Sequence, residues 1–278
     1  QMSLLKQALD LYRQKGYKSL IQKSIAEAYT KIYYMTVVLR GQYTLTLDTR
    51  TIVFSAPTTT VVRRNRDRFE SESPVLSDFI DDICTDDVVY DVGANTGLYT
   101  LFAAKSCPDG IVLAFEPYPP NIELLKKDIN RNQLQNIEIV DFALSNSIGN
   151  IEFSQPPEDD VGYGSSSIEA DESRATTEIP TTTGDRLIAG NDVPEPTVIK
   201  IDVEGAESLV LDGLSQALSN PDCRTVYCEV HLPTGDHRPS VEDFGSSPEA
   251  ICNRLEQFGF TVERLHRRDS EILYCGRK

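Results

Sequence analysis

The spacing of apolar residues predicts helices and then a hairpin in the N-terminal part of the chain. Apolar residues recur at spacings of four and three over residues 18–39, which is typical of a helix with one apolar face. A shorter helix is predicted at 3–12, and the alternating stretch QYTLTLDTRTIVFSAP (42–57) predicts a β-hairpin. An arginine-rich link, VVRRNRDRFE, separates this hairpin from a predicted helix at 74–83.

From residue 86 onward, short aliphatic runs alternate with helical patterns, which predicts a different architecture. Such alternation is typical of a mostly parallel sheet with helices on both faces. Only HRRDSE separates the last two strands, too few residues for a parallel crossover, so these strands are predicted to form an antiparallel hairpin at one edge. The seven predicted strands are Val88–Val92, Ile111–Glu116, Ile137–Ala143, Val198–Asp202, Thr225–His231, Thr261–Leu265 and Ile272–Cys275. The helices between the first six are predicted at about 97–106, 119–132, 206–219 and 248–258.

A long connection between the third and fourth of these strands, residues 155–185, is rich in Pro, Gly, Ser, Thr and acidic residues. A connection of this length in a compact domain is typical of a flexible lid or a solvated insert. A short strand is predicted near its end, at 176–182. The pattern as a whole predicts two domains: a helical and hairpin extension at 1–69, and an α/β domain at 70–278.

Charge is distributed unevenly along the chain, which has a formal net charge of −16. Residues 1–40 contain seven Lys/Arg and two Asp/Glu, whereas residues 41–278 contain 20 and 41. A body this acidic repels polyanions, which disfavours a nucleic-acid substrate. Its scarcity of lysine is typical of proteins from salt-loving organisms, but an ordinary acidic cytosolic enzyme remains an equal alternative.

Six cysteines without a CxxC pair, and no apolar leader, predict reduced thiols in a cytoplasmic protein. No uncharged apolar run approaches the ~20 residues that span a bilayer. The basic, amphipathic segment 1–40 nevertheless predicts an external contact. Either its apolar stripe packs on the protein or on a second subunit of a homo-oligomer, or it lies on the inner surface of a membrane as a peripheral contact.

The stretch VVYDVGANTGLYTLFAAK (88–105) places Asp91 at the end of a strand and two glycines in the turn before a helix. A phosphate-binding loop requires Gly-Lys where this chain has Leu-Tyr, and a dinucleotide site requires GxGxxG, which fits poorly because Asn95 stands at the middle position. The pattern from Asp91 through Gly93 and Asn95 to Gly97 instead resembles the turn that binds S-adenosylmethionine. A carboxylate at the strand end suits the ammonium and sulfonium groups of that ligand.

The second and third strands end in residues suited to an adenosine. Glu116, in AFEPYPPN, lies 19 residues after the second glycine of the turn, where an acidic side chain holds the ribose hydroxyls. Nicotinamide cofactors use the same arrangement, so Glu116 alone does not discriminate between them. Pro117 and Tyr118 are expected to flank the adenine. Asp141 is placed to accept from the adenine amine with the Phe142 backbone nearby, or it is simply a solvated strand end.

The fourth strand carries the most specific motif, VIKIDVEGAESLVLDG (198–213). Together with DVGANTGLYT, AFEPYP and CEVH, in this order and spacing, it resembles the FkbM family of S-adenosylmethionine-dependent methyltransferases over roughly residues 70–235. The resemblance implies a class I methyltransferase (Rossmann-like) fold and O-methylation, typically of a hydroxyl on a sugar or a natural product. The residues that match are Asp91, Gly93, Asn95, Gly97 and Glu116 for the cofactor, and Asp202, Glu204, Gly205 and Glu207 in the signature. We also assign Thr96 and Asp202 to the cofactor site.

Methyl transfer to a sugar hydroxyl is an in-line displacement that benefits from a general base. Ligands of an open α/β sheet sit beyond the carboxyl ends of its strands, where Asp202, Glu204, Glu229 and His231 are predicted to lie. His231 is the predicted base, with Asp202 or Glu204 as the alternatives. Lys200 is grouped with them and is expected to pair with Asp202 or Glu229, because its strand is predicted to be buried.

The same acids and imidazole could bind Mg²⁺, but acidic residues around a cationic cofactor require no metal, and we predict none. Two other functions remain open at this point. One is a nicotinamide-dependent oxidoreductase that uses Glu116 for its own ribose, and the other is a non-catalytic cofactor-binding module. The acceptor, a glycan or another small molecule, is expected to be selected by the insert at 155–185, whose sequence identifies no substrate.

Overall fold

The computed structural model describes residues 24–154, 176–234, 239–268 and 270–278. Its N-terminal part consists of a helix, a β-hairpin and a longer helix. These elements are α1 (24–40), β1 (Gln42–Leu47), β2 (Arg50–Ser55) and α2 (Thr59–Asp81). The hairpin predicted at 42–57 is confirmed, whereas the helix predicted at 3–12 lies outside the described residues.

The arginine-rich stretch that was predicted to be a link is helical, so that prediction was wrong. Helix α2 begins after Thr58, whose hydroxyl oxygen accepts a hydrogen bond from the N–H of Val61 (3.2 Å), as is usual at a helix N-cap. All six residues from 63 to 68 are polar. Apolar periodicity therefore gave no signal there, and the observed helix begins 15 residues before the predicted one.

The rest of the described chain alternates between strands and helices. Its strands are β3 (Val88–Val92), β4 (Ile111–Phe115), β5 (Ile137–Val140), β6 (Ala143–Leu144), β7 (Gly149–Ser154), β8 (Thr176–Thr182), β9 (Val198–Ile201), β10 (Thr225–His231), β11 (Thr261–Arg267) and β12 (Glu271–Arg277). Its helices are α3 (Leu98–Ser106), α4 (Pro119–Asn132), α5 (Gly184–Ala189), α6 (Glu207–Gly213), α7 (Ser215–Ser219) and α8 (Pro248–Gln257). The helix predicted at 206–219 is thus two short helices, interrupted at Leu214.

Seven of the described strands form one sheet in the order β11-β12-β10-β9-β3-β4-β5. Every neighbouring pair is parallel except the two that involve β12, which is antiparallel to both β10 and β11. The predicted mostly parallel sheet with an antiparallel edge hairpin is confirmed. Because β3, β4, β9 and β10 run in the same direction, their carboxyl ends meet at one edge of the sheet.

A smaller sheet, in the order β6-β8-β7, lies beside this edge. The predicted strand Ile137–Ala143 was too long: β5 ends at Val140, and Ala143 pairs with Thr181 of β8 instead. The strand predicted at 176–182 is confirmed as β8. The chain therefore changes sheets just beyond the end of β5.

The hydrophobic core lies on both faces of the large sheet. One cluster joins the hairpin (Phe54), α2 (Phe79) and α3 (Phe102) to the sheet, and the other packs α6, α7 and α8 on the opposite face. The predicted domain boundary between residues 69 and 70 falls inside α2, and it stays a prediction. None of the helices in the described part of the chain has the length and hydrophobicity required to cross a membrane.

Candidate active site

A cavity of about 730 Å³ opens at the carboxyl ends of β3, β4, β9 and β10. We define two of its walls. The strand wall consists of the acidic residues at the strand ends, Glu116, Asp202, Glu204 and Glu229. The helix wall is one face of α2: Thr60, Arg63, Arg64, Asp67, Arg68, Ser71 and Glu72.

The turn after β3 packs directly on the end of β9. Gly93 has φ +85°, and a Cβ at this position would lie 1.9 Å from the carbonyl oxygen of Asp202. Only glycine fits there, since both the backbone conformation and the close approach exclude a side chain. Gly93 and Asn95 both line the cavity, so the predicted turn does reach the space where a ligand would bind.

Glu116 is held at the end of β4 by three N–H donors. Its carboxylate accepts hydrogen bonds from the backbone N–H of Asn95 (2.8 Å) and of Tyr118 (2.9 Å), and from Nδ2 of Asn121 (3.4 Å). Burial raises the pKa of Glu116 to about 7, although the three donors oppose this shift. Its carboxylate therefore has a defined orientation at the cavity and titrates near neutral pH.

The other predicted cofactor residues are divided between the cavity and its surroundings. Pro117 and Phe142 line the cavity, whereas Thr96, Gly97, Tyr118 and Asp141 are not among its lining residues. Thr96 and Gly97 are buried, Tyr118 is half-buried, and Asp141 is exposed.

Asp91 is buried below the turn and does not line the cavity. Its Oδ2 accepts a hydrogen bond from the hydroxyl of Thr100 (2.5 Å), and its buried Oδ1 has no partner among the described residues. Burial raises the pKa of Asp91, and Lys200 opposes that rise.

Asp202 is the centre of a buried charge network. Its Oδ2 lies 3.0 Å from Nζ of Lys200 and 2.8 Å from Nη2 of Arg68, whose Nε contacts Glu72 at 2.8 Å. Burial opposes ionisation, but the two cations hold the pKa of Asp202 well below its usual range. Lys200, expected to pair with Asp202 or Glu229, pairs with Asp202. Sequence reasoning missed Arg68, which lies 134 positions away.

His231 is fully buried behind the strand wall and does not line the cavity. Its Nδ1 lies 2.7 Å from Oε1 of Glu207, and its Nε2 lies 3.5 Å from Oε2 of Glu204 and 3.7 Å from Oδ1 of Asp202. Burial alone would lower the pKa of His231, but the acids around it raise that pKa to about 10. The imidazole is therefore a cation at neutral pH.

Glu229 stands beside these groups and lines the cavity. No hydrogen bond or ion pair joins its carboxyl group to another of the described residues. Burial, together with the negative charge of Asp202, raises the pKa of Glu229 well above its usual range, and Lys200 opposes this. A carboxyl group of this kind is free to exchange a proton with a bound molecule.

Asp202, Glu229 and His231 also present ligand atoms within 4.8 Å of one another, a spacing that a metal ion could bridge. Two features of the site disfavour this use. Asp202 already contacts two cationic side chains, and the acids around His231 raise its pKa, which disfavours the neutral imidazole that a metal ion requires.

The helix wall is the part of the site that sequence reasoning missed. Its members recur at spacings of three and four residues, so they lie on one face of α2. A usable signal did exist: residues 59–73 contain neither glycine nor proline and are rich in arginine and glutamate, which are good helix formers.

Comparison with known proteins identifies relatives of this chain. The family model "Methyltransferase FkbM domain" matches residues 91–267. The hexuronic acid methyltransferase AglP of Haloferax volcanii is 29% identical over 225 residues, which cover 81% of this chain and 84% of that protein. A SAM-dependent methyltransferase from Aquifex aeolicus has 15% identity and a TM-score of 0.46, covering 78% of this chain and 96% of that one. A precorrin-6y C5,15-methyltransferase from Geobacter metallireducens has 13% identity and a TM-score of 0.45, covering 74% and 88%.

Proposed function

This chain belongs to the FkbM family of S-adenosylmethionine-dependent methyltransferases, and we propose that it methylates an oxygen of a sugar that carries a carboxylate. The observation that carries the proposal is the relative of nearly matching length that is named a hexuronic acid methyltransferase, since a hexuronic acid is a sugar with a carboxylate. Neither a nicotinamide-dependent oxidation nor a purely binding function has support in these comparisons.

We assign the cofactor to the side of the cavity formed by β3 and β4. Glu116 would accept the two ribose hydroxyls, because its carboxylate is already oriented there by three N–H donors. The turn at Gly93 and Asn95 would border the methionine part, and Pro117 and Phe142 would flank the adenine. The predicted contributions of Asp91, Thr96, Gly97, Tyr118 and Asp141 would come from beneath or beside this space.

The bound cofactor supplies a methyl group whose carbon–sulfur bond breaks as the new carbon–oxygen bond forms. When the acceptor oxygen is a hydroxyl, its proton must leave, and we assign its acceptance to Glu229 rather than to His231. Glu229 lines the cavity, and no hydrogen bond or ion pair joins its carboxyl group to another described residue, so its ionised form can accept the proton directly, whereas His231 does not line the cavity. His231 is already protonated, so its role would be to hold Glu204, Glu207 and Asp202 in place.

The test is a methyl-transfer assay with isotopically labelled S-adenosylmethionine and two probes, methyl glucuronoside and methyl glucoside. We expect label to enter the glucuronoside preferentially and to survive mild alkali, as an ether does. Label released by alkali would identify a methyl ester, which forms without loss of a hydroxyl proton and would remove the role of Glu229 as base. No transfer to the acidic sugar, with transfer to the neutral one, would contradict the proposal.

We further propose that α1 contacts a second protein surface, most simply another copy of the chain, and that the enzyme acts in the cytoplasm. Large apolar residues stay exposed along this helix: Ile25, Tyr29, Ile32, Met35 and Leu39. Sedimentation of the full chain and of a variant beginning near residue 41 tests the first point. A change of oligomeric state supports it, whereas flotation of only the full chain with anionic liposomes would favour the membrane contact instead.

A further inference from the structure

The arginines of α2 differ in their contacts and in their position relative to the cavity. Arg68 is bound by Glu72 and Asp202. Arg66 lies off the cavity and donates to the hydroxyl of Tyr33 (2.9 Å). Arg63 and Arg64 both line the cavity. The helix wall therefore adds two further arginines to the lining of the cavity.

Arg63 is the most available of these groups. It is exposed at the cavity, and no ion pair or hydrogen bond joins it to any residue that the structure describes. Asp67, one turn later on the same face, is not within ion-pair distance of it. In a chain with a formal net charge of −16, an arginine that lines this cavity without an acidic partner among the described residues requires an explanation.

The start of α2 adds to this positive potential. The helix has 23 residues, no acidic residue in its first turn, and Thr60 of that turn lines the cavity. The partial positive charge at a helix N-terminus favours a negatively charged group nearby. Thus one end of the helix wall combines a helix N-terminus with the Arg63 and Arg64 side chains.

The strand wall has the opposite character. Glu116, Glu204 and Glu229 line the cavity on that side, and each of these carboxyl groups repels an anionic group of a ligand when it is ionised. An acceptor that carries one carboxylate is therefore oriented by the two walls, with the carboxylate toward α2 and the rest of the sugar ring toward the strand ends.

We propose that Arg63 and Arg64, at the N-terminal end of α2, bind the carboxylate of the acceptor sugar and thereby select an acidic sugar over a neutral one. Arginine suits this role because its planar guanidinium donates two parallel hydrogen bonds to a carboxylate. The inference rests on the proposed function and deepens it, since it assigns the recognition of the acidic group to residues of this chain.

The test compares three forms of the full chain saturated with S-adenosylhomocysteine: wild type, the double variant Arg63→Gln/Arg64→Gln, and the control Arg66→Gln. The control removes one positive charge from the same helix, at a position that does not line the cavity. Calorimetry on these forms measures their affinity for methyl glucuronoside, methyl glucoside and glucose 6-phosphate, and initial rates in separate assays with S-adenosylmethionine as the methyl donor give KM and kcat.

We expect the double variant to bind methyl glucuronoside at least about tenfold more weakly, equivalent to about 1.4 kcal/mol. Its KM should rise with little change in kcat, and its affinity for methyl glucoside should not change. The control should match wild type. The inference would be overturned by a double variant that binds S-adenosylhomocysteine normally and keeps the wild-type preference for methyl glucuronoside over methyl glucoside. It would also be overturned if the wild-type protein bound glucose 6-phosphate more tightly than methyl glucuronoside, since that result would identify a phosphate site.

These outcomes separate the inference from the proposed function. If loss of Arg63 and Arg64 leaves methyl transfer to the glucuronoside unaffected, the inference is wrong and the proposed function stands. Absence of transfer to any acidic sugar, with cofactor affinity intact, would overturn both.

Discussion

The two walls of the cavity are built on different principles. The strand wall is largely buried, its side chains extend from the ends of neighbouring parallel strands, and two of its four acids contact cations: Asp202 contacts Lys200 and Arg68, and Glu204 contacts His231. The helix wall is one face of a single helix, is largely open to solvent, and carries Arg63 without an acidic partner among the described residues. This difference fits the two roles that we propose: the cofactor and the reaction at the strand ends, and selection of the acceptor at the helix.

The strongest test of the strand wall is the loss of its central charge. Asp202→Asn should lower the free energy of unfolding by about 3–5 kcal/mol, because Lys200 then remains as a buried cation without its ion-pair partner and Arg68 keeps only Glu72. Chemical denaturation measures this change. Asp212→Asn is the matched control, since it breaks the solvent-exposed pair with Arg254 and should cost about 0–1 kcal/mol. Equal losses in the free energy of unfolding for the two substitutions would show that the buried network stabilises the fold no more than an exposed ion pair does.

The second test separates the two groups that compete for the role of base. Glu229→Gln should reduce kcat about 10²-fold while leaving affinity for S-adenosylhomocysteine near wild type. His231→Gln should act mainly on stability, because the imidazole does not line the cavity and contacts only acidic side chains of the protein. Should a folded His231→Gln protein lose more kcat than the Glu229→Gln protein, the base is His231, as the sequence first indicated.

The third test uses the pKa of Glu116, which burial raises to about 7. Above that pH the carboxylate is ionised and accepts the ribose hydroxyls, whereas below it the carboxyl group is protonated and loses part of that capacity. Affinity for S-adenosylhomocysteine should therefore fall as the pH is lowered from 8 to 6.

Glu116→Gln should weaken binding at pH 8 by about 1.5–3 kcal/mol and flatten this pH dependence. Calorimetry across the range gives both results. An unchanged affinity at pH 8, in a protein that unfolds like wild type, would remove Glu116 from the cofactor site.

The smallest expected effect concerns divalent metals. Treatment with EDTA should change neither the rate of methyl transfer nor the melting temperature, since Asp202 is occupied by two cationic side chains and His231 is protonated. A loss of activity that Mg²⁺ or Mn²⁺ restores would show instead that Asp202, Glu229 and His231 hold an ion.

Different parts of the site were predictable to different degrees. The turn at Gly93 could be read directly, because a positive φ and a close backbone approach permit only glycine, and this requirement is local. The acids at the ends of β9 and β10 were also located, because the carboxyl ends of parallel strands meet at one edge. The sequence also limited the partner of Lys200 to Asp202 or Glu229, and the structure shows Asp202. The protonation state of His231 was less accessible, since it depends on how many charged groups surround the imidazole.

The amino-acid sequence by itself determined the order of strands and helices, the ligand-facing turn and the acidic strand ends, all of which follow from local periodicity and backbone requirements. Only the tertiary structure decided that an arginine-rich stretch forms a wall of the cavity, and that Arg68 meets Asp202 from 134 positions away. The physical reason is that a polar helix face carries no apolar periodicity. The acid that pairs with an arginine on such a face depends on which charged groups the folded chain brings near it, and local sequence patterns do not encode this.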